Sequence, residues 1–210
     1  MRALLGLLSI PAACLLAADL PKITYSKAFP GSVPAYIEIT LDREGRGQYK
    51  EAPDDANPVA FQLAPSEADE IFGLAAKLAH FSKPLESNLK VAFMGTKILR
   101  WENGGERHEA KFNYSLDAAA QQIADWFDRI GESEIRLVTL ERAARYDRLG
   151  INREILLLEA AYDNKRLVGK AQFLPLLDRV AKNEKYMHMA RERAARLADA
   201  FRAEAQAPRP

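Results

Sequence analysis

The chain has 210 residues, 48% hydrophobic and 28% charged, which suits one sizeable core or two smaller ones and is not the composition of a disordered segment. Its net charge of +1 is unevenly placed, with 14 Lys/Arg against 17 Asp/Glu in residues 1–131 and 16 against 12 in residues 132–210. Acids interleave with the bases throughout the second half, which argues against the dense basic stripe of a nucleic-acid binder.

The N-terminal run "MRALLGLLSIPAACLLAADLPK" has one positive charge at Arg2, an apolar stretch from Ala3 to Ala18 and small residues before Asp19. That is the three-part layout of a secretory signal peptide over residues 1–18, with cleavage after Ala17 or Ala18. A membrane-spanning helix needs about 20 apolar residues, and this run is shorter and interrupted by Pro11. The only cysteine, Cys14, lies inside the leader, so cleavage leaves no disulfide, thiolate nucleophile or cysteine metal site. Acylation of Cys14 is the lesser alternative, because Pro11 stands where a lipoprotein signal has an aliphatic residue and "LLAA" continues the apolar region.

From Ile23 to Ile130 strand and helix signals alternate. "KITYS" reads as a first strand, and "YIEITLD" as a second at period two. Between them "AFPGSVPAY", Ala28 to Tyr36, places Pro30, Gly31 and Pro34. Prolines cannot donate to a ladder and glycine permits a tight turn, so a stiff bend is expected there. "REGRG" supplies a turn and "QYK" a return strand, followed by the polar loop "EAPDDANP". "LAPSEADEIFGLAAKLAHF" then predicts an amphipathic helix with Ser66 as N-cap, acids in its first turn and one apolar face. A second round follows: strands at "KVAFM", "TKILRW" and "RHEAKFNY", a hairpin turn at Asn103-Gly104-Gly105, and a helix capped by Ser115. The resulting expectation is an α+β domain over residues 19–131, an antiparallel sheet with helices on one face.

From Glu132 to about residue 205 the pattern is helical, a C-terminal bundle or hairpin region. One helix is capped by Ser133 and closes at Gly150. A second runs from Asn152 to near Asn164. The third has Pro175 at its start or as a kink, and the last runs from Asn183 with Tyr186, Met189, Ala190, Leu197 and Phe201 on an apolar face. Residues 206–210 are expected to be a disordered tail.

With the bend in place, "FPGSVPAYIEITLDREGRGQYK" resembles the opening of an uncharacterised family of small exported bacterial domains. The family's first hairpin carries a cysteine, any residue, glycine, any residue, cysteine, proline, any residue and tyrosine. Gly31, Pro34 and Tyr36 match, while Phe29 and Val33 occupy the places of the cysteines. The resemblance covers about residues 20–131 and implies fold and export but no chemistry. The two apolar replacements imply a bend held by packing, with Phe29 and Val33 facing each other.

No catalytic set converges in the sequence. His108 lies on the last hairpin strand near Glu106 and Glu109, but no second histidine stands at ligand spacing. His80, at a helix end, most simply meets the helix dipole. "YMHM" raises the thought of Cu(I), yet Met187, His188 and Met189 are consecutive on a helix and splay by about 100° each. "DREG" and "PDDAN" lack the ligand pattern of a calcium loop. Trp101, Phe112, Tyr114, Trp126 and Phe127 sit at core periodicity rather than groove periodicity. No catalytic, cofactor-binding or metal-binding residue and no cofactor is therefore assigned. The expectation is an exported protein, periplasmic or extracellular, that acts as a non-catalytic binding module. Its expected contact is a protein partner through the C-terminal helices, with no nucleic acid and no membrane contact after leader removal. The alternatives are a hydrolase using an Asp/Glu with His108 or His80, and a helical adaptor.

Overall fold

A computed structural model describes residues 20–207. The leader with Cys14 and the last three residues of the expected tail lie outside the described residues. The fold is α+β, as its alternating patterns predict. Six strands, β1 (Lys22–Ala28), β2 (Tyr36–Asp42), β3 (Arg46–Lys50), β4 (Val59–Gln62), β5 (Thr96–Asn103) and β6 (Glu106–Phe112), form one antiparallel sheet in the order β4-β3-β2-β1-β5-β6. Period-two alternation puts Ile23, Tyr25, Ile39, Leu41, Leu99 and Trp101 on one buried face. Thr24, Ser26, Thr40, Gln48 and Arg100 fall on the other, which is not fully buried and carries the Arg100–Glu109 pair at 2.9 Å.

Five α-helices complete the described fold: α1 (Pro65–Lys77) between β4 and β5, then α2 (Ala118–Tyr146), α3 (Ile151–Asp163), α4 (Leu174–Lys182) and α5 (His188–Gln206) after β6. Helix α1 and the first half of α2 cover the sheet's apolar face with Ile71, Phe72, Leu74, Ile123, Phe127 and Ile130. The second half of α2 contributes Leu140 and Ala143 to a separate core with α3, α4 and α5, centred on Ile155, Phe173, Leu177 and Phe201.

Several expected boundaries move, each for a local reason. Helix α1 starts at Pro65, whose fixed φ suits the first helical position, and the Glu67 carboxylate accepts the Ala64 N–H at 2.8 Å, so Ser66 is inside the helix and not its cap. Asp117, not Ser115, caps α2, its carboxylate accepting the N–H groups of Ala119 at 2.7 Å and Ala120 at 3.3 Å. No helix ends at Ile130 or starts at Ser133, because α2 runs through both. The Ser133 hydroxyl faces sideways and accepts the Val168 N–H at 3.0 Å. The 131/132 division thus falls inside a continuous helix that serves both cores.

That helix stops at Tyr146, and Gly150 precedes α3 instead of closing α2. Pro175 sits in the first turn of α4 and does not kink it. Helix α5 begins at His188. Tyr186 is buried in the preceding turn, and Met189, expected in the core, is 58% exposed. The segment "KVAFM" forms no strand: it is held by side chains, Asn113 accepting the Met94 N–H at 2.7 Å and donating to the Ala92 carbonyl at 3.1 Å. Edge strand β4 goes unforeseen; its Phe61 ring lies across Gly47, where a Cβ would meet it at 2.1 Å.

Candidate binding cleft

Strand β1 runs directly into the 29–35 bend. The Phe29 N–H donates to the Ala35 carbonyl at 2.9 Å and the Ser32 N–H to the Phe29 carbonyl at 3.1 Å. The Ser32 hydroxyl lies 2.7 Å from both the Phe29 and the Pro34 carbonyl oxygens. Gly31 takes φ 90°, a conformation that side chains rarely adopt, and the Val33–Pro34 peptide is cis. The bend is therefore closed by hydrogen bonds and not by packing between the two apolar residues. Val33 points outward, 99% exposed, and Phe29 instead meets Phe93 edge-on at 5.9 Å. This overturns the expected contact between Phe29 and Val33.

With Val33, Pro34 and Phe29 along one wall and the Asp128–Ile135 stretch of α2 along the other, the bend bounds an open cleft of about 210 Å³. Its polar end is charge-paired. Lys27 Nζ contacts both Asp128 carboxylate oxygens, at 3.0 and 2.9 Å, and the Tyr25 hydroxyl donates to the same carboxylate at 3.1 Å. Burial, with Asp128 behind it, pushes the Tyr25 phenol well above its ordinary range. Lys97, buried nearby, donates to the Asn113 carbonyl at 2.8 Å, and burial together with Lys27 lowers its pKa. Glu132 is clamped by Arg166, at 2.9 and 2.8 Å. These pairs leave the cleft without a free charge, so it favours an uncharged, apolar occupant. Its volume lies below the roughly 300–1,000 Å³ of small-molecule sites, which suits a single side chain better than a cofactor.

The apolar surface continues outside the cleft. Leu89, Val91, Phe93 and Met94 are 39–54% exposed on the irregular segment before β5. That segment is anchored by Glu86, whose carboxylate accepts the Asn113 N–H at 2.6 Å and lies below the usual carboxylate range because of these backbone contacts. Between them, residues 28–35 and 87–96 hold no carboxylate and one cation, Lys90. The anchored loop thus presents the Phe93 ring and the Met94 thioether as an exposed apolar patch beside a charge-neutral cleft.

The histidines do not assemble a reaction centre. The segment Ala79–Phe81 turns left-handed, with φ of 48°, 52° and 64°, and carries the His80 ring flat onto Trp101 at 4.1 Å, so His80 stacks rather than interacting with the helix end. His108 stands across the ladder from Trp101. Its Nδ1 lies 3.7 Å from the Glu106 carboxylate, the one carboxylate within 4 Å of it among the described residues. His188 pairs with Glu192 at 3.1 Å on the surface, between the exposed Met187 and Met189. Among the described residues no group of three His, Cys, Asp or Glu is placed to hold a metal ion.

The turns that superficially suggested calcium are self-capped. Asp42 accepts the N–H groups of Glu44 at 2.9 Å and Arg46 at 3.0 Å, and Asp55 accepts that of Asn57 at 2.9 Å. Trp101, Phe112, Trp126 and Phe127 are core, as their periodicity predicts, while Tyr114 is half-buried. Sequence reasoning missed Lys27 and Asp128 of the cleft, 101 positions apart with no local signal, and Phe93 and Met94 on the surface beside it, whose apolar run reads as a strand.

No protein-family model matches the chain, and no curated protein matches it significantly.

Proposed function

We infer that the chain is an exported, non-catalytic binding module of the bacterial cell envelope that captures an apolar side chain of a partner protein in the cleft between the 29–35 bend and α2. The observation that carries the reading is the continuity of that neutral cleft with the exposed surface of Phe29, Val33, Phe93 and Met94. Large apolar side chains gathered at one place on a surface are costly unless covered, and each contributes about 1.5–3 kcal/mol when buried. The leader-like N-terminus and the match at Gly31, Pro34 and Tyr36 support export. A partner contact at the bend and α2 thus stands in addition to the C-terminal helices, where the sequence directs attention.

The hydrolase alternative needs His108 or His80 beside a pair of carboxylates, whereas His108 meets Glu106 alone and His80 meets an indole ring. Photo-crosslinking from a benzophenone side chain at position 93 should yield a discrete adduct in envelope extracts that disappears with Val33→Asp, while the same probe at Gln48 on the polar sheet face yields none. Equal labelling from both positions, or hydrolytic turnover by the purified protein that His108→Ala abolishes, would overturn the reading.

A further inference from the structure

The far end of the helical unit combines two turns that are remote in sequence. The Tyr186 hydroxyl donates to the Ala144 carbonyl at 2.8 Å and fixes the α4–α5 turn against the last turn of α2, beside the α2–α3 turn. Tyr146 and Leu149 project from the α2–α3 turn with 82% and 79% of their surface exposed, and Met187 and Met189 from the start of α5 with 44% and 58%. Around them residues 142–153 carry Arg142, Arg145, Arg148 and Arg153 against Asp147, and residues 182–191 carry Lys182, Lys185 and Arg191 against Glu184. Glu141, Glu154 and Glu192 lie just outside these stretches.

The carboxylate contacts at this end, Arg153 with Glu154 at 3.9 Å and His188 with Glu192 at 3.1 Å, leave Arg142, Arg145, Arg148, Lys182 and Lys185 without a carboxylate partner among the described residues. The Asp147 carboxylate is engaged by the Gly150 N–H at 2.8 Å.

A helix dipole accounts for Arg145 and Lys182, which sit in the last turns of α2 and α4. It does not account for four large apolar side chains projecting between unpaired cations. We propose that this end of the helical unit docks on an anionic phospholipid surface, with Tyr146, Leu149, Met187 and Met189 entering the interface and the arginines and lysines meeting lipid phosphates.

Tyr146 and Leu149 are about four-fifths exposed and the two methionines about half, so all four can enter a deformable interface while the cations around them meet its negative charge. A nucleic-acid backbone would neutralise the cations and leave the apolar side chains in water. Basic side chains at a membrane surface and buried apolar area are the two forces that hold peripheral proteins there. No helix among the described residues is long and apolar enough to cross a membrane, and peripheral docking needs none. The proposal stands independently of the cleft.

The test is vesicle sedimentation with the chain from Leu20 onward. Both cores lie within residues 23–201, so this protein keeps its described packing while the apolar leader is kept out of the assay. Vesicles with about 30 mol% phosphatidylglycerol should bind it at low salt and release it as salt rises, while pure phosphatidylcholine vesicles should not. The double change Arg145→Glu and Arg148→Glu should weaken binding at least about tenfold. Tyr146→Ser with Leu149→Ser should weaken it several-fold, and Gln48→Ser on the polar sheet face should leave it unchanged, with every variant folded at the assay temperature. Absence of binding, equal binding to both vesicle types, or indifference to the arginine reversals would overturn the proposal.

Discussion

Gln172 donates to the Glu134 carboxylate at 2.7 Å across the junction of the two cores, and the second carboxylate oxygen of Glu134 is buried with no partner. The residue is fully buried, and burial raises its pKa to about 7, partly opposed by the Gln172 hydrogen bond. A carboxyl whose pKa is higher folded than unfolded binds more protons in the native state. Stability must therefore fall as pH rises from the ordinary carboxylate pKa to about 7 and level off above it. The rise from the ordinary value of 4.5 to about 7 makes the penalty above pH 7 about 3 kcal/mol. Glu134→Gln should raise the urea midpoint at pH 8 and flatten the profile between pH 4.5 and 7. Parallel profiles for the two proteins would show that the carboxyl is not the titrating group.

Gly131 occupies the interior of α2 where the helix faces Ile37, Ile39 and Tyr49 of the sheet. A methyl group there would meet Ile37 Cδ1 at 3.4 Å, and Ile39 Cδ1 and Tyr49 Cε2 at 3.8 Å, all ordinary contact distances. Gly131→Ala should therefore realise the helix-propensity gain of about 0.5–1 kcal/mol. Gly131→Leu should lose about 1–3 kcal/mol through overpacking. Urea unfolding of both variants measures this, and a destabilised alanine variant would mean that the helix and sheet have no slack at this crossing.

Asp117 alone holds the first turn of α2, accepting two N–H groups. Asp117→Ala should cost about 1 kcal/mol, whereas Ser115→Ala, whose hydroxyl accepts only the Asp117 N–H at 3.3 Å, should cost less. Thermal denaturation of the two variants ranks the caps directly, and the reverse order would restore Ser115 as the start of the helix.

How far this architecture is legible in the sequence depends on the range of the forces involved. The β1–β2 and β5–β6 pairings follow from alternation and from turn glycines, which act over a few residues. Phe112, Trp126 and Phe127 fall in the core for the same reason. The uninterrupted α2 is not legible, since "GESE" reads as a break and a cap until Val168 arrives from 35 positions away to occupy the Ser133 hydroxyl. Exposure is equally hidden: "KVAFM" has strand composition, and only the anchoring by Asn113 and Glu86 shows why its side chains face water. The bend was visible as a bend, but its hydrogen bonds to Ser32, which turn Val33 outward and make it a wall of the cleft, were not.

The polar end of that cleft supplies a last prediction. Asp128 accepts from Lys27 and from the buried Tyr25 hydroxyl, so Asp128→Ala strands a cation and a phenol together, while Lys27→Met removes a charge and leaves Asp128 its bond to Tyr25. Both members of the ion pair keep about a quarter of their side-chain surface exposed, 25% and 29%, so water relieves part of the loss. Asp128→Ala should cost about 2–3 kcal/mol and Lys27→Met about 1 kcal/mol. In a double-mutant cycle, removing both should cost less than the sum of the two by about 1 kcal/mol, since the stranded lysine is then absent. Additivity within error in urea unfolding would show that the tyrosine bond alone matters and that Lys27 is free to contact whatever enters the cleft.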